Sequence, residues 1–304
     1  MYPPSSPAPP PGLRNLGNSC HVNASTQCLW RTLMSSGLIS QVQCFIKNDL
    51  TNVRRLNPFL NTLNAMSCRA SNLDAYLKIL VLEVYNSMNW PKESQQSLLA
   101  TTSYLNAHCL VPADGIGTLL DLQVREVRWC CCGCSSSLDL HDPMISLSPT
   151  TANPSNLQDG ISKYFTKDSP DSESKCSGCG STSQRLLSRS LMETPDAFYM
   201  QINRSKFDRA KAAATDYVGQ LNSDHVTLSP TVTLPFESSH VSFTLVAVAL
   251  FDGSSLEHGH WTAVTLNNHW THYNDLDVSP TSFPQQSPEW RPCQCFFVRS
   301  SLLR

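Results

Sequence analysis

Between Cys20 and Leu110 apolar residues recur at the spacing of amphipathic helices. Val22, Thr26, Leu29 and Leu33 fall at i, i+4, i+7 and i+11, which places them on one face of a helix opening at Cys20. Leu56, Phe59, Leu60 and Leu63 make a second stripe, and Leu73, Tyr76, Leu77, Leu80, Val81 and Val84 a stronger third. A further helix is predicted over residues 95–109, entered after Pro91. Beyond Gly115 and Gly117 the helical period gives way to β alternation. Residues 119–129 alternate loosely, and residues 186–192, 197–203, 226–234 and 241–251 are rich in β-branched and aromatic residues, broken by Pro195, Pro230 and Pro235. Residues 261–266 and 269–274 read as two strands about an Asn267-Asn268 turn, and residues 293–300 as a closing strand. Helices first and strands afterwards predict an α+β fold. Residues 135–175, with Asp159, Asp168, Asp171 and many Ser and Pro, read as a loop-rich insertion, and residues 215–224 as a loop.

A chain of 304 residues can bury a full core without staples. Its 22 basic and 24 acidic residues give little net charge, so neither nucleic acid nor an anionic membrane is expected as a partner. The first eleven residues hold six prolines and read as an extended, poorly ordered leader. That leader has no basic or apolar run, and no later stretch approaches the ~18 apolar residues of a membrane span. The 13 cysteines are odd in number, and several of them are grouped in close pairs. Such grouping points to metal binding or catalysis in a reducing compartment rather than to a disulfide framework.

Cys20 follows a turn, Asn15-Leu16-Gly17-Asn18-Ser19, and starts a helix. The unpaired amides and positive dipole end at that position favour thiolate, the nucleophilic form. Asn15 lies in the same turn, where its side-chain amide could aim an N–H at an oxyanion beside the sulfur. Cys131 and Cys134 form one CxxC pair and Cys176 and Cys179 another, with 41 residues between the pairs. Four thiolates on two knuckles supply a closed tetrahedral site for structural Zn²⁺, for which the spare Cys130 and Cys132 could compete as ligands. His260 follows Gly259 at the start of a strand, where an imidazole is approachable; His258 shares its face.

Residues 12–29, GLRNLGNSCHVNASTQCL, resemble the cysteine box of the ubiquitin-specific proteases, GLxNLGNTCYxNAxLQCL. The departures are Ser19 for Thr, His21 for Tyr or Phe, and Thr26 for Leu. GHWTAV at His260 is similar to that family's histidine box GHYxxY, and WTHYND, with Trp270, Tyr273, Asn274 and Asp275, to its WxxFND or WxxFDD segment. FYMQINRSKFD loosely resembles the family's strand followed by LxRF, with Ile202, Arg204 and Phe207, and CQCFFVRS its closing strand, in which Cys293 and Cys295 pack inside. At the family's QQDAxEF segment only Gln95 and Gln96 remain, followed by Ser97 and Leu98.

The resemblance implies a papain-like catalytic domain over residues 12–304, with a helical thumb over about 12–115, zinc-ribbon β fingers over about 116–190 and an antiparallel β palm over about 191–304. It implies thiol-dependent hydrolysis of the (iso)peptide bond after the C-terminal glycine of ubiquitin. Cys20 is then nucleophile, His260 base and acid, Asn274 its orienter and Asn15 the oxyanion donor, with no catalytic cofactor. Ubiquitin or a ubiquitin-like modifier and its conjugates are the implied partners of a monomer in the cytoplasm, the nucleus or both. A SUMO-type or interferon-induced modifier, or a catalytically weak binding module, are the alternatives. Strand register leaves the orienter open. A two-residue turn at Asn267-Asn268 sets Asp275 opposite His260, whereas a three-residue loop centred on Asn267 sets Asn274 there.

Overall fold

A computed structural model gives the structure of residues 9–41, 53–90, 97–110, 118–130, 133–149, 155–166, 179–180, 185–206, 220–255, 258–285, 287 and 290–303. Four helices come first: α1 (Cys20–Ser36), α2 (Val53–Cys68), α3 (Leu73–Ser87) and α4 (Leu98–Cys109). The apolar stripes read from the sequence are the faces they bury. Val22, Leu29 and Leu33 of α1, Phe59, Leu60 and Leu63 of α2, and Leu77, Leu80, Val81 and Val84 of α3 are all buried. α1 is covered on nearly every side, its polar Asn23, Ser25, Thr26 and Gln27 included, because it lies between the other helices and the sheet. α4 starts at Leu98, where the Ser97 hydroxyl accepts the Ala100 N–H, three residues later than expected. Gln95 and Gln96 lie outside the described residues.

The strands follow as β1 (Leu122–Cys130), β2 (Ser135–Asp142), β3 (Ile145–Leu147) and β4 (Ser155–Asn156), then helix α5 (Leu157–Phe165). After it come β5 (Arg185–Leu191), β6 (Ala197–Ile202), β7 (Ser205–Lys206), β8 (Gln220–Leu221), β9 (Val226–Thr227) and β10 (Thr231–Phe236). The last are β11 (Ser239–Gly253), β12 (Gly259–Leu266), β13 (Trp270–Asn274), β14 (Asp277–Pro280) and β15 (Arg291–Arg299). The large sheet runs β14-β13-β12-β11-β15-β6-β3 with β10 also on β11, all antiparallel except the β3–β6 pair. A three-stranded antiparallel sheet, β2-β1-β5, stands apart from it.

One face of the large sheet packs on α1 to α4, and the other carries a second apolar cluster with α5. Strand β11 serves both faces by way of a bulge opposite β15 between Leu245 and Ala247. Before it Phe243 and Leu245 face the α5 side; after it Val248 and Leu250 do, and Ala247 and Ala249 face α1. One extra residue thus switches the alternation without breaking the strand.

Three expectations are corrected. The segment expected to be a loop-rich insertion contains β2, β3, β4 and α5; Leu157, Ile161, Tyr164 and Phe165 bury one face of that helix, and Asn156 caps it by accepting the Asp159 N–H. Residues 226–234 form two strands rather than one, because Pro230 has no N–H for a ladder and sits between them. In the expected loop at 215–224, Gln220 and Leu221 pair with β7. No helix among the described residues is long and apolar enough to cross a membrane.

A buried chain of side chains ties α1 and α4 to the sheet: Ser25 Oγ lies 3.0 Å from Thr102 Oγ1, which donates to Gln294 Oε1 on β15 at 2.8 Å. Thr102→Val keeps the volume and strands both neighbours. It should therefore cost about 1–3 kcal/mol, read as a lower urea midpoint at unchanged m.

Candidate active site

The loop before α1 sets the first half of the site. Cys20 is the first residue of α1 and is buried. Asn15 anchors the turn: its Oδ1 accepts the Gly17 N–H (3.1 Å), the Ser19 N–H (3.3 Å) and the Ser19 hydroxyl (3.4 Å). Three donors on one oxygen fix which end of the amide is oxygen, so Nδ2 points away, donating to Asp275 Oδ2 at 3.0 Å. Tyr85 holds the same turn by donating to the Asn18 carbonyl, and Asn18 takes a positive φ of 52°. His21 is buried against Tyr85 and Trp90, filling the space of the aromatic ring usual in the box it resembles. Burial pushes its pKa down to about 4, so it packs as a neutral ring.

The second half comes from β12, β13 and the turn into β14. Gly259, just before His260, has no room for a Cβ, which would lie 2.3 Å from the Phe251 ring. His260 Nε2 lies 2.7 Å from Asn274 Oδ1. With that nitrogen committed to an acceptor, it is the N–H, and Nδ1 is the nitrogen left for the Cys20 thiol. Asp275 stands further off, its Oδ2 3.7 Å from Nε2. The His260 pKa is raised to about 9, foremost by the hydrogen bond to Cys20, against burial, and then by Asn274 and the charges of Cys20 and Asp275.

Neither register considered from the sequence forms. The loop is Asn267 to His269: Leu266 pairs with Trp270, and the Asn267 N–H bonds to the His269 carbonyl. The β12–β13 ladder continues to Ala263 opposite Tyr273, with even-numbered residues on the same face as even-numbered ones. Asn274 therefore shares a face with His260. Asp275 escapes the alternation by leaving the strand with φ 52° in the turn that joins Asn274 to Asp277, and so reaches the same place from the side.

The structure thus brings together Cys20, His260, Asn274 and Asn15. It adds two residues to which the sequence assigned no such place: Asp275 as a bridge to Asn15, and Asn23, whose Nδ2 reaches Asp275 Oδ1 at 2.7 Å. Asn23 was visible only as a match within the cysteine box. His258 is exposed.

Of the cysteines expected to hold metal, Cys134 and Cys179 are described and Cys131 and Cys176 lie outside the described residues, as does Cys132. Among the described residues no group of three or more His, Cys, Asp or Glu is arranged to hold a metal ion. Cys130 and Cys179 bring their sulfurs within 3.8 Å. The β1–β2 turn is closed by the Gly133 N–H on the Cys130 carbonyl and the Cys130 N–H on the Cys134 carbonyl. Cys293 and Cys295 are buried on β15, as expected of packing groups.

The sequence model of the family described as Ubiquitin carboxyl-terminal hydrolase matches residues 11–293. The chain belongs to that family. Ubiquitin carboxyl-terminal hydrolase 26 of Oryza sativa subsp. japonica is 24% identical over 296 residues, covering 89% of this chain. Ubiquitin carboxyl-terminal hydrolase 23 of Arabidopsis thaliana is 22% identical over 299 residues, again covering 89%. The chain spans 26% and 33% of the lengths of these two relatives. It also superposes on a chain of the SAGA DUB module Ubp8/Sgf11/Sus1/Sgf73 bound to monoubiquitin, with a TM-score of 0.72 at 15% identity, covering 98% of this chain and 71% of that one. For the same module bound to ubiquitin aldehyde the TM-score is 0.73 at 14% identity, with the same coverage. The α+β fold expected from the sequence is the fold of these proteins.

An NMR titration of the His260 ring should give a midpoint near 9. Asn274→Ala removes one of the interactions that favour the imidazolium, so the midpoint should fall; a midpoint left in place would deny Asn274 its hold on the ring.

Proposed function

We propose that the protein is a thiol-dependent deubiquitinase that hydrolyses the (iso)peptide bond after the C-terminal glycine of ubiquitin. The observation that carries this is the 2.7 Å hydrogen bond from His260 to Asn274, with Cys20 at the start of α1 acting on the same ring, in a chain of this family. Cys20 gives its thiol proton to His260 Nδ1, its sulfur attacks the scissile carbonyl carbon, and the C=O π electrons move to the oxygen as an oxyanion. The Asn15 amide, held by Asp275 through one N–H, offers the other to that charge. The intermediate collapses, the C–N bond breaks, and the His260 imidazolium gives its proton to the leaving amine. Neutral His260 then takes a proton from water as the water oxygen attacks the thioester carbon; the C–S bond breaks, releasing the carboxylate product and returning the Cys20 sulfur beside the imidazolium. Asn274 keeps Nε2 as the N–H so that Nδ1 performs each of these transfers. No catalytic cofactor enters this sequence.

The solved relatives bound to monoubiquitin and ubiquitin aldehyde support ubiquitin as partner. The missing acidic positions after Gln95 and Gln96 favour a second reading, a protease for another ubiquitin-like modifier. Capture by C-terminal electrophile probes built on ubiquitin, SUMO and the interferon-induced modifier distinguishes them. The ubiquitin probe should label the protein and fail with Cys20→Ala; exclusive labelling by another probe would assign the second reading, and none by any would remove the enzyme. Thumb, fingers and palm over about 12–115, 116–190 and 191–304, a monomer, and the cytoplasm or nucleus remain part of this reading, the free thiols Cys20, Cys28, Cys293 and Cys295 suiting a reducing compartment.

Structural Zn²⁺ at the turn end of the β1–β2 hairpin belongs to the same proposal. The Cys130–Cys179 spacing of 3.8 Å fits two thiolates on one tetrahedral zinc, since Zn–S bonds of about 2.3 Å put sulfurs about 3.8 Å apart. Cys134 and Cys179, with Cys176, supply three ligands, and Cys130 competes with Cys131 for the fourth. Metal analysis should find about one zinc per chain. Loss of zinc in Cys130→Ser but not in Cys131→Ser would give Cys130 the position; the converse would give it to Cys131. A wild-type chain without zinc would end the proposal.

A further inference from the structure

We propose that Asn23 is a positioning residue for this site: its side-chain amide locks the Asp275 carboxylate, and through it the Asn15 donor, in the orientation the reaction uses. The inference rests on the reading of Cys20 and Asn15 given above.

Asn23 lies one turn into α1 and is 3% exposed. Its Nδ2 faces three acceptors: Asp275 Oδ1 at 2.7 Å, the Leu13 carbonyl at 3.1 Å and the Arg14 carbonyl at 3.3 Å. The amide therefore joins the helix that carries the nucleophile, the loop leading to Asn15, and the turn leaving Asn274. Asp275 divides its oxygens. Oδ1 takes Asn23, and Oδ2 takes Asn15 and faces His260 Nε2 at 3.7 Å. A carboxylate anchored at one oxygen has its plane set at the other, so releasing Oδ1 lets the carboxylate rotate and loosens its hold on the Nδ2 end of Asn15, the end that its own turn, bonded to Oδ1, does not fix. The turn itself is pinned by the Leu13 N–H on the Asp275 carbonyl (2.9 Å), and by Gly12, whose Cβ would lie 2.5 Å from the Leu276 carbonyl. Backbone contacts thus hold the loop against the turn, which leaves Asn23 the narrower task of aiming side chains. Titratable groups around the amide are Asp275 and His260 from the hairpin and Cys20 from α1; the Arg14 side chain turns away to Asp74 of α3 at 3.1 Å.

The test compares wild type, Asn23→Ser and Asn23→Asp on a ubiquitin conjugate. Asn23→Ser should lower kcat by about 10- to 100-fold, below the about 10²–10³ lost when an oxyanion donor is deleted, with KM within about 2-fold. Asn23→Asp sets a carboxylate against Asp275 and cannot donate until the pair shares a proton. Its kcat relative to wild type should therefore rise as pH falls from 8 toward 6, which a merely loosened fold does not produce. Unchanged kcat in Asn23→Ser, or a flat ratio in Asn23→Asp, would overturn the inference. Should wild type not cleave ubiquitin conjugates, the substrate reading fails, and the His260 titration decides separately. In Asn23→Ser its midpoint should drop because Asp275 no longer stands beside Nε2; an unmoved midpoint would refute the role of Asn23.

Discussion

The site depends on one contact, that between the loop preceding α1 and the turn connecting β13 to β14. Neither half is complete alone. The loop brings a thiol at a helix start and an amide whose oxygen is consumed by its own turn; the hairpin brings an imidazole already oriented by Asn274. What unites them is Asp275, which accepts the Leu13 N–H with its backbone and Asn15 and Asn23 with its side chain. Its positive φ is the local cost of leaving a regular strand so that a carboxylate can face the helix. Asp tolerates that conformation better than a β-branched residue would, because its short polar side chain is compatible with the left-handed region.

The rest of the fold serves to keep that contact in place. α1 is buried between α2, α4 and the sheet, so its N-terminus cannot shift without disturbing both the helical cluster and strands β11, β12 and β15. The buried Ser25, Thr102 and Gln294 add directional bonds to a packing that apolar contact alone leaves free to slide. On the far face α5 closes the second cluster. The bulge in β11 lets one long central strand present small alanines toward α1 and larger residues toward α5.

The helices were legible because their apolar stripes keep a strict period and the buried faces leave little freedom. Cys20 was legible because a Gly- and Asn-rich turn runs directly into such a stripe. α5 carried the same signal in Leu157, Ile161, Tyr164 and Phe165, with Asn156 as its cap, but the surrounding Asp, Ser and Pro outweighed it. The partner of His260 was legible as a choice between Asn274 and Asp275 and no further. A loop one residue longer inverts which face a side chain meets, and the sequence does not state that Asn267 will bond back to His269. Since one residue stays in the strand and its neighbour turns out of it, both come to the imidazole, at 2.7 and 3.7 Å.

The most direct measurement is acid-quenched, single-turnover reaction with a ubiquitin substrate, followed by mass spectrometry to locate the acyl group among the 13 cysteines. The account predicts a hydroxylamine-sensitive thioester between the ubiquitin C-terminus and Cys20, absent from Cys20→Ala. Turnover with no thioester, or a thioester on another cysteine, would contradict it.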